Sequence, residues 1–158
     1  LLEIHQNTWT GGLVYGPQIE TSTSHNTTLL EGTYEWGVQG RNSTSNTSTS
    51  FSTRTVTIDT TSPSPVVLNL PIDNANLTNI FNSYSWTQGA NTGTTLTDVI
   101  YFYNDAAGTI LNKSAQITAG ILTHQDSLGI GTYYWAVQST DAAGNIGNFS
   151  SLRKVVIQ

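Results

Sequence analysis

Leu128-Gly129-Ile130-Gly131-Thr132-Tyr133-Tyr134-Trp135-Ala136-Val137-Gln138 is the stretch that decides how this chain is read. Tyr133, Trp135 and Val137 alternate with Tyr134, Ala136 and Gln138, the period-2 pattern of a half-buried strand. An earlier copy, Leu29-Leu30-Glu31-Gly32-Thr33-Tyr34-Glu35-Trp36-Gly37-Val38-Gln39, tells which side is inward, because Glu35 falls on the face opposite Tyr34, Trp36 and Val38. Around these copies, residues 24–59 align without a gap on 123–158 at an offset of 99, and Arg54, Val56 and Ile58 answer Arg153, Val155 and Ile157. A period of that length is one small domain, so the chain is an array of like modules.

Working outward, the second copy reads as seven strands at 66–70, 82–87, 98–104, 108–116, 121–126, 131–140 and 150–157. Asp73-Asn74, Gly89-Ala90-Asn91-Thr92-Gly93, Asn104-Asp105-Ala106-Ala107-Gly108 and Asp141-Ala142-Ala143-Gly144-Asn145 separate some of them, with small polar residues that tolerate turn dihedrals. No stretch keeps a helical period. The expectation is an all-β chain of tandem β-sandwiches, with modules at 1–60 and 61–158 and Thr60-Thr61-Ser62-Pro63-Ser64-Pro65 as a short linker. In the first module, strands are expected at 2–5, 12–19, 26–30, 33–41 and 51–58. Nothing there answers the strand at 66–70 or the one carrying Trp86, so this module is expected to lack its two N-terminal strands.

Composition narrows the function. Charged residues make up 9%, and Ser, Thr and Asn together about a third, a surface of hydroxyls and amides that suits an extracellular, cell-surface or secreted home. The net charge is −5 and only five residues are basic, so no electrostatic footprint for nucleic acid or anionic lipid exists. Apolar runs are too short to span a bilayer, and membrane insertion is not expected. With no cysteine, the chain has neither disulfides, thiolate metal sites nor a cysteine nucleophile.

Leu-x-x-Gly-Thr-Tyr-x-Trp-x-Val-Gln, followed by Asp141-Ala142-Ala143-Gly144-Asn145 and Arg-x-Val-x-Ile, resembles the fibronectin type III/Ig-like modules of bacterial and archaeal surface proteins. Such modules often place a corner tyrosine six residues after a loop leucine; Tyr34 and Tyr133 come five after Leu29 and Leu128. The resemblance implies a non-catalytic structural or adhesive module, acting as the spacer or shaft of a surface protein or filament, with neighbouring modules or subunits as partners. Its alternative is an accessory carbohydrate-binding or spacer module of a secreted glycan-degrading enzyme.

Candidate sites are few. Trp36, Trp86 and Trp135 read as core by strand phase. Tyr101, Tyr103 and Tyr134 fall on the outward face, where they offer a surface for a glycan or for a neighbouring subunit. His25 and His124 are equivalent positions one module apart and cannot share a metal within the chain, and the carboxylates are scattered singly. No catalytic constellation, metal ligand set or cofactor motif is expected. Asp141 to Asn145 offers oxygen ligands for calcium but reads first as a turn, since the first copy has Gly40-Arg41-Asn42-Ser43-Thr44 there. Asn-x-Ser/Thr sequons stand at Asn26, Asn42, Asn46, Asn76, Asn112 and Asn148.

Where the repeat fails matters most. Without the two strands, Leu2, Ile4, Tyr34, Trp36 and Val38 are expected to lose one apolar wall. About 400 Å² of exposed apolar surface would cost on the order of 10 kcal/mol, comparable with the whole stability of a small domain. The preferred reading is an excerpt of a longer array whose further residues supply the strands; the other is donation by a second subunit.

Overall fold

The alternation Tyr34-Glu35-Trp36-Gly37-Val38 and its counterpart Tyr133-Tyr134-Trp135-Ala136-Val137 both form central strands in the computed structural model of the chain. The structure describes residues 1–91 and 95–158; Thr92 and Gly93 of the expected turn at 89–93 lie outside the described residues. Every regular element among the described residues is a strand, and the strands fall into two units, Leu1–Thr60 and Thr61–Gln158.

The first unit contains β1 (Leu2–Gln6), β2 (Leu13–Gln18), β3 (Gly32–Val38), β4 (Arg41–Asn42), β5 (Thr47–Ser48) and β6 (Ser52–Ile58). Four of them form one antiparallel sheet in the order β2-β1-β3-β6, while β4 and β5 make a two-residue ladder of their own. Leu2, Ile4 and Tyr34 project from this sheet into a small core. The strand expected at 26–30 does not form: residues 24–31 are irregular, and most of them are exposed. The reason is visible in the second unit.

That unit contains β7 (Val67–Leu70), β8 (Ala75–Leu77), β9 (Phe81–Thr87), β10 (Thr97–Tyr103), β11 (Leu111–Ile117), β12 (Thr123–Ser127), β13 (Gly131–Thr140) and β14 (Arg153–Ile157). Two sheets, β11-β10-β13-β14-β8 and β12-β9-β7, enclose the core. This strand order is that of a fibronectin type III/Ig-like sandwich. β12, the counterpart of residues 24–28, bonds to one neighbour only, β9, from Thr123↔Ser85 to Ser127↔Phe81. A strand needs a partner for its backbone groups. Among the described residues of the first unit nothing stands where β9 and β7 stand, so the same sequence pattern has no ladder to join.

Core packing in the second unit is aromatic. Tyr84 of β9 meets Phe102 of β10 at 4.8 Å and Trp135 of β13 at 5.2 Å, both edge-to-face. Trp86 and Trp135 are almost fully buried; each such ring removes roughly 150–250 Å² from water, on the order of 4–6 kcal/mol. The expectation of a core position fails for Trp36, which is half-buried, and Val38 is 47% exposed. Both would need the second sheet to cover them.

Two further differences come from tertiary pairing. β8 escaped the sequence pattern because it is three residues long and exists by parallel pairing with β14. The expected linker is partly spent inside the second unit: Pro63 is buried, Ser64 N–H donates to the Ala90 carbonyl at 2.9 Å, and the Pro63 carbonyl lies against Gly147.

Candidate functional site

The outward face of β10 and β13 gathers the tyrosines singled out by strand phase. Tyr101 and Tyr103 stack with centroids 6.2 Å apart and planes 12° from parallel, and Tyr134 lies opposite Tyr103 in the ladder. All three are half-buried. Phe149, which strand phase did not single out, packs its ring edge-on against Tyr101 at 5.2 Å. It is held there because Ser150 is pinned to β13: Val137 N–H donates to Ser150 Oγ at 3.0 Å and Ser150 N–H to the Val137 carbonyl at 2.9 Å. Tyr103, Ala107, Gly108, Ala136, Phe149 and Leu152 enclose a hollow of about 270 Å³. Burial, with Tyr101 and Asp105 nearby, pushes the Tyr103 phenol above its ordinary value.

In the first unit the equivalent face is built differently. Glu3, His5 and Glu35 stand where Tyr101, Tyr103 and Tyr134 stand in the second unit. Trp9, which no sequence pattern marked, covers the space above Gly37, with its ring 4.5 Å from His5 and 4.7 Å from Phe51. Its backbone N–H donates to Glu35 Oε2 at 2.6 Å. The Glu3 carboxylate, 3.1 Å from His5 Nε2, is the main cause that raises the His5 pKa above the usual imidazole value. Tyr34 Oη donates to the Leu30 carbonyl at 3.0 Å, as a corner tyrosine does.

The acidic groups are tied into structure. Asp141 Oδ1 accepts from the N–H groups of Ala143 and Asn145, and Oδ2 from the Asn145 amide, all at 2.9 Å, while Gly144 takes φ 93°. Both oxygens thus serve the turn, and the Asn145 amide chiefly holds this carboxyl below the usual range. Asp105 closes the β10–β11 hairpin by accepting from Ile110 N–H at 2.6 Å and from Thr109, and these bonds lower its pKa as well. Asp126 is caught between Lys113 Nζ at 2.5 Å and His124 Nε2 at 3.3 Å. Among the described residues, no three His, Cys, Asp or Glu side chains converge as metal ligands. His25 and His124 each stay within their own unit, beside Glu20 and Asp126. All six sequon asparagines, at 26, 42, 46, 76, 112 and 148, are exposed.

No family model matches the sequence, and no curated protein matches it. Solved structures do. The fibronectin(III)-like modules of Clostridium thermocellum CbhA match at 14% identity and a TM-score of 0.45, over 59% of this chain and 96% of theirs. The FN1–FN3 domains of chicken CNTN1 match at 13% identity and a TM-score of 0.43, over 80% of this chain and 43% of theirs. The chain is similar to fibronectin type III-like modules. No helix among the described residues is long and apolar enough to cross a membrane.

Proposed function

We propose that the chain is a non-catalytic structural or adhesive element of an extracellular prokaryotic surface protein or filament, serving as spacer or shaft. The observation that carries this reading is the repetition itself: one β module recurs at an offset of 99 residues with its inward pattern kept, while the outward positions differ between copies. Spacers of this kind bear load through the sandwich and leave turns and outward faces for contacts. Its partners are then neighbouring modules or subunits of the same protein. The exposed asparagines at 26, 42, 46, 76, 112 and 148 suit N-glycan attachment. At Asn148 the attachment would precede folding, because the sequon hydroxyl of Ser150 is buried. Immunogold labelling of intact source cells tests the location, with label along the envelope or filaments expected. An intact mass equal to the bare polypeptide removes the glycan claim.

The stacked Tyr101 and Tyr103, with Tyr134 and Phe149 beside them, favour one second reading, a carbohydrate-binding accessory module. A glycan array separates the two. Binding that is lost in Tyr101→Ala and Tyr103→Ala supports the accessory module; an array without signal leaves the spacer.

A further inference from the structure

We propose that the β1–β2 hairpin loop, residues 7–12, is a pH-operated latch: the His5 imidazolium holds it, with Trp9, over the outward face of β1 and β3, and loss of one proton releases it. The device does not depend on the functional reading above; it follows from the atoms that the ring faces. His5 Nδ1 lies 3.2 Å from the Gly11 carbonyl oxygen, and Nε2 lies 3.1 Å from Glu3 Oε2. A carbonyl and a carboxylate can only accept, so the two bonds coexist only when both ring nitrogens carry a proton. A neutral ring has one N–H to give. The carboxylate is the stronger acceptor and keeps it. The Nδ1 lone pair then faces the Gly11 oxygen, acceptor against acceptor, and that contact has to open.

The loop brings Trp9 with it. Its ring centroid is 4.5 Å from that of His5 with the planes 46° apart, so the closed state sets a cation against an indole. Gly11 N–H donates to the Thr8 carbonyl at 2.8 Å, and a Cβ on Gly11 would stand 1.9 Å from the Gln6 oxygen, so glycine alone can present its carbonyl here. The charged groups facing His5 are Glu3 on its own strand and Glu35, its register partner on β3. On β2 its register partner is Leu13, while Tyr15 packs against His25. Arg54, the charged residue of β6, lies opposite Trp36 on the inward side, and residues 7–12 contain no titratable side chain. Both facing charges are negative and favour the imidazolium, Glu3 foremost, which agrees with a His5 pKa above the usual value.

The second unit closes the same hairpin without a titrating imidazole. Gln6 N–H donates to the Gly12 carbonyl at 2.9 Å and Asn104 N–H to the Ile110 carbonyl at 2.8 Å, which marks the two loops as equivalent. Tyr103 and Ala107 stand there in place of His5 and Trp9, and Asp105 closes the turn by accepting from Ile110 N–H at 2.6 Å. A carboxylate so held stays ionised above about pH 4, and that loop does not respond near neutrality. Asn7 takes the place of Asp105 in the first unit, so the closing contact there passes to His5. Because the folded-state pKa of His5 is raised, the latch is fully set below about pH 6.5 and is lost as pH rises through the raised value.

The test is an NMR titration of the full chain from about pH 5 to about pH 9. The His5 ring nitrogens should pass from doubly to singly protonated, and the Gly11 amide and Trp9 indole resonances should move with the same midpoint. Protection of the Trp9 and Gly11 N–H groups against exchange, corrected for the intrinsic rate, should fall at least about 5-fold across that midpoint. Glu3→Gln removes the nearer negative charge and should lower the shared midpoint by at least about half a pH unit. His5→Gln should flatten the response of the loop; if that variant does not fold, Glu3→Gln decides. A His5 that titrates while Gly11 and Trp9 stay still overturns the proposal, as does a ring that remains neutral throughout. So does a loop midpoint that Glu3→Gln leaves in place, because another group then drives the motion.

Discussion

Trp86 donates its indole N–H to the Asp98 carboxylate at 2.7 Å, in the sealed interior of the second unit. Ser139 Oγ donates to the other carboxylate oxygen at 2.5 Å. One acidic side chain thereby fastens β9 in one sheet to β10 and β13 in the other. Buried carboxylates persist only when donors satisfy them. Asp98→Ala orphans two donors at once, each worth about 1–3 kcal/mol, so urea unfolding should show a loss of about 2–4 kcal/mol. A loss below about 0.5 kcal/mol would mean the bond does not fasten the sheets.

Tyr84 is the opposite case. Its ring sits at the centre of the aromatic core, but its hydroxyl has no protein partner. Burial, reinforced by Asp126 and Tyr133, pushes the phenol up to about 12, so it stays neutral. Removing an unpartnered polar atom while keeping the ring costs little. Tyr84→Phe should unfold within about 0.5 kcal/mol of the parent, or be stabilised, in the same urea titration.

Arg153 and Arg54 share a place in the repeat and differ in surroundings. Arg153→Met removes charge-assisted bonds to three carbonyls of the β7 end and should cost about 1.5–3 kcal/mol. Arg54→Met alters an exposed side chain and should stay within about 0.5 kcal/mol. Calorimetry of the two variants measures this contrast directly. Equal losses would show that the clasp contributes nothing.

The contrast also shows what a sequence can reveal here. Alternation at Tyr133, Trp135 and Val137 depends on one strand and its phase, so it was readable, and the Asp141 to Asn145 turn is closed by its own side chains. Whether residues 24–30 form a strand depends on a neighbour, and no local pattern carries that information. The same holds for β8, which exists through β14. Trp36 repeats the Trp135 pattern faithfully and is nevertheless half-buried, because burial belongs to the covering sheet. Of the outward aromatic face, Tyr101, Tyr103 and Tyr134 followed from phase. Phe149 did not, since the Ser150 bonds that aim it are tertiary.

Acid should loosen the second unit through its turn and edge carboxylates. Burial raises the Asp126 pKa, but hydrogen bonds from Lys113, His124 and Ser127 N–H outweigh it and hold the carboxyl below the usual range. Asp105 and Asp141 are lowered too, by the donors of their own turns. A folded-state pKa below the unfolded value of about 4 means that the unfolded chain binds more protons in between. The stabilisation is complete above about pH 4 and is lost as pH falls through the lowered values. Thermal melts from pH 6 to pH 2 should show a falling midpoint below about pH 4, and Asp126→Asn should flatten that slope. An unchanged slope would remove Asp126 from the account.

Gly37 and Ala136 occupy equivalent positions, and the difference of one methyl group sets what can cover each outward face. A Cβ on Gly37 would lie 2.8 Å from Trp9 Cη2, 2.9 Å from Cζ3 and 3.0 Å from Thr53 Cγ2. Trp9 cannot simply slide away, because its N–H is held at 2.6 Å by Glu35 and its ring is packed between His5 and Phe51. Gly37→Ala should therefore expel the ring into solvent at a cost of about 1–3 kcal/mol. With Trp36, Trp86 and Trp135 unaltered, the red shift and added iodide quenching in the variant report on Trp9 alone. Trp9→Phe in the same background supplies the control, since it should cancel the spectral change. Emission that matches the parent would show that the indole tolerates the methyl group and that Gly37 is not what admits it.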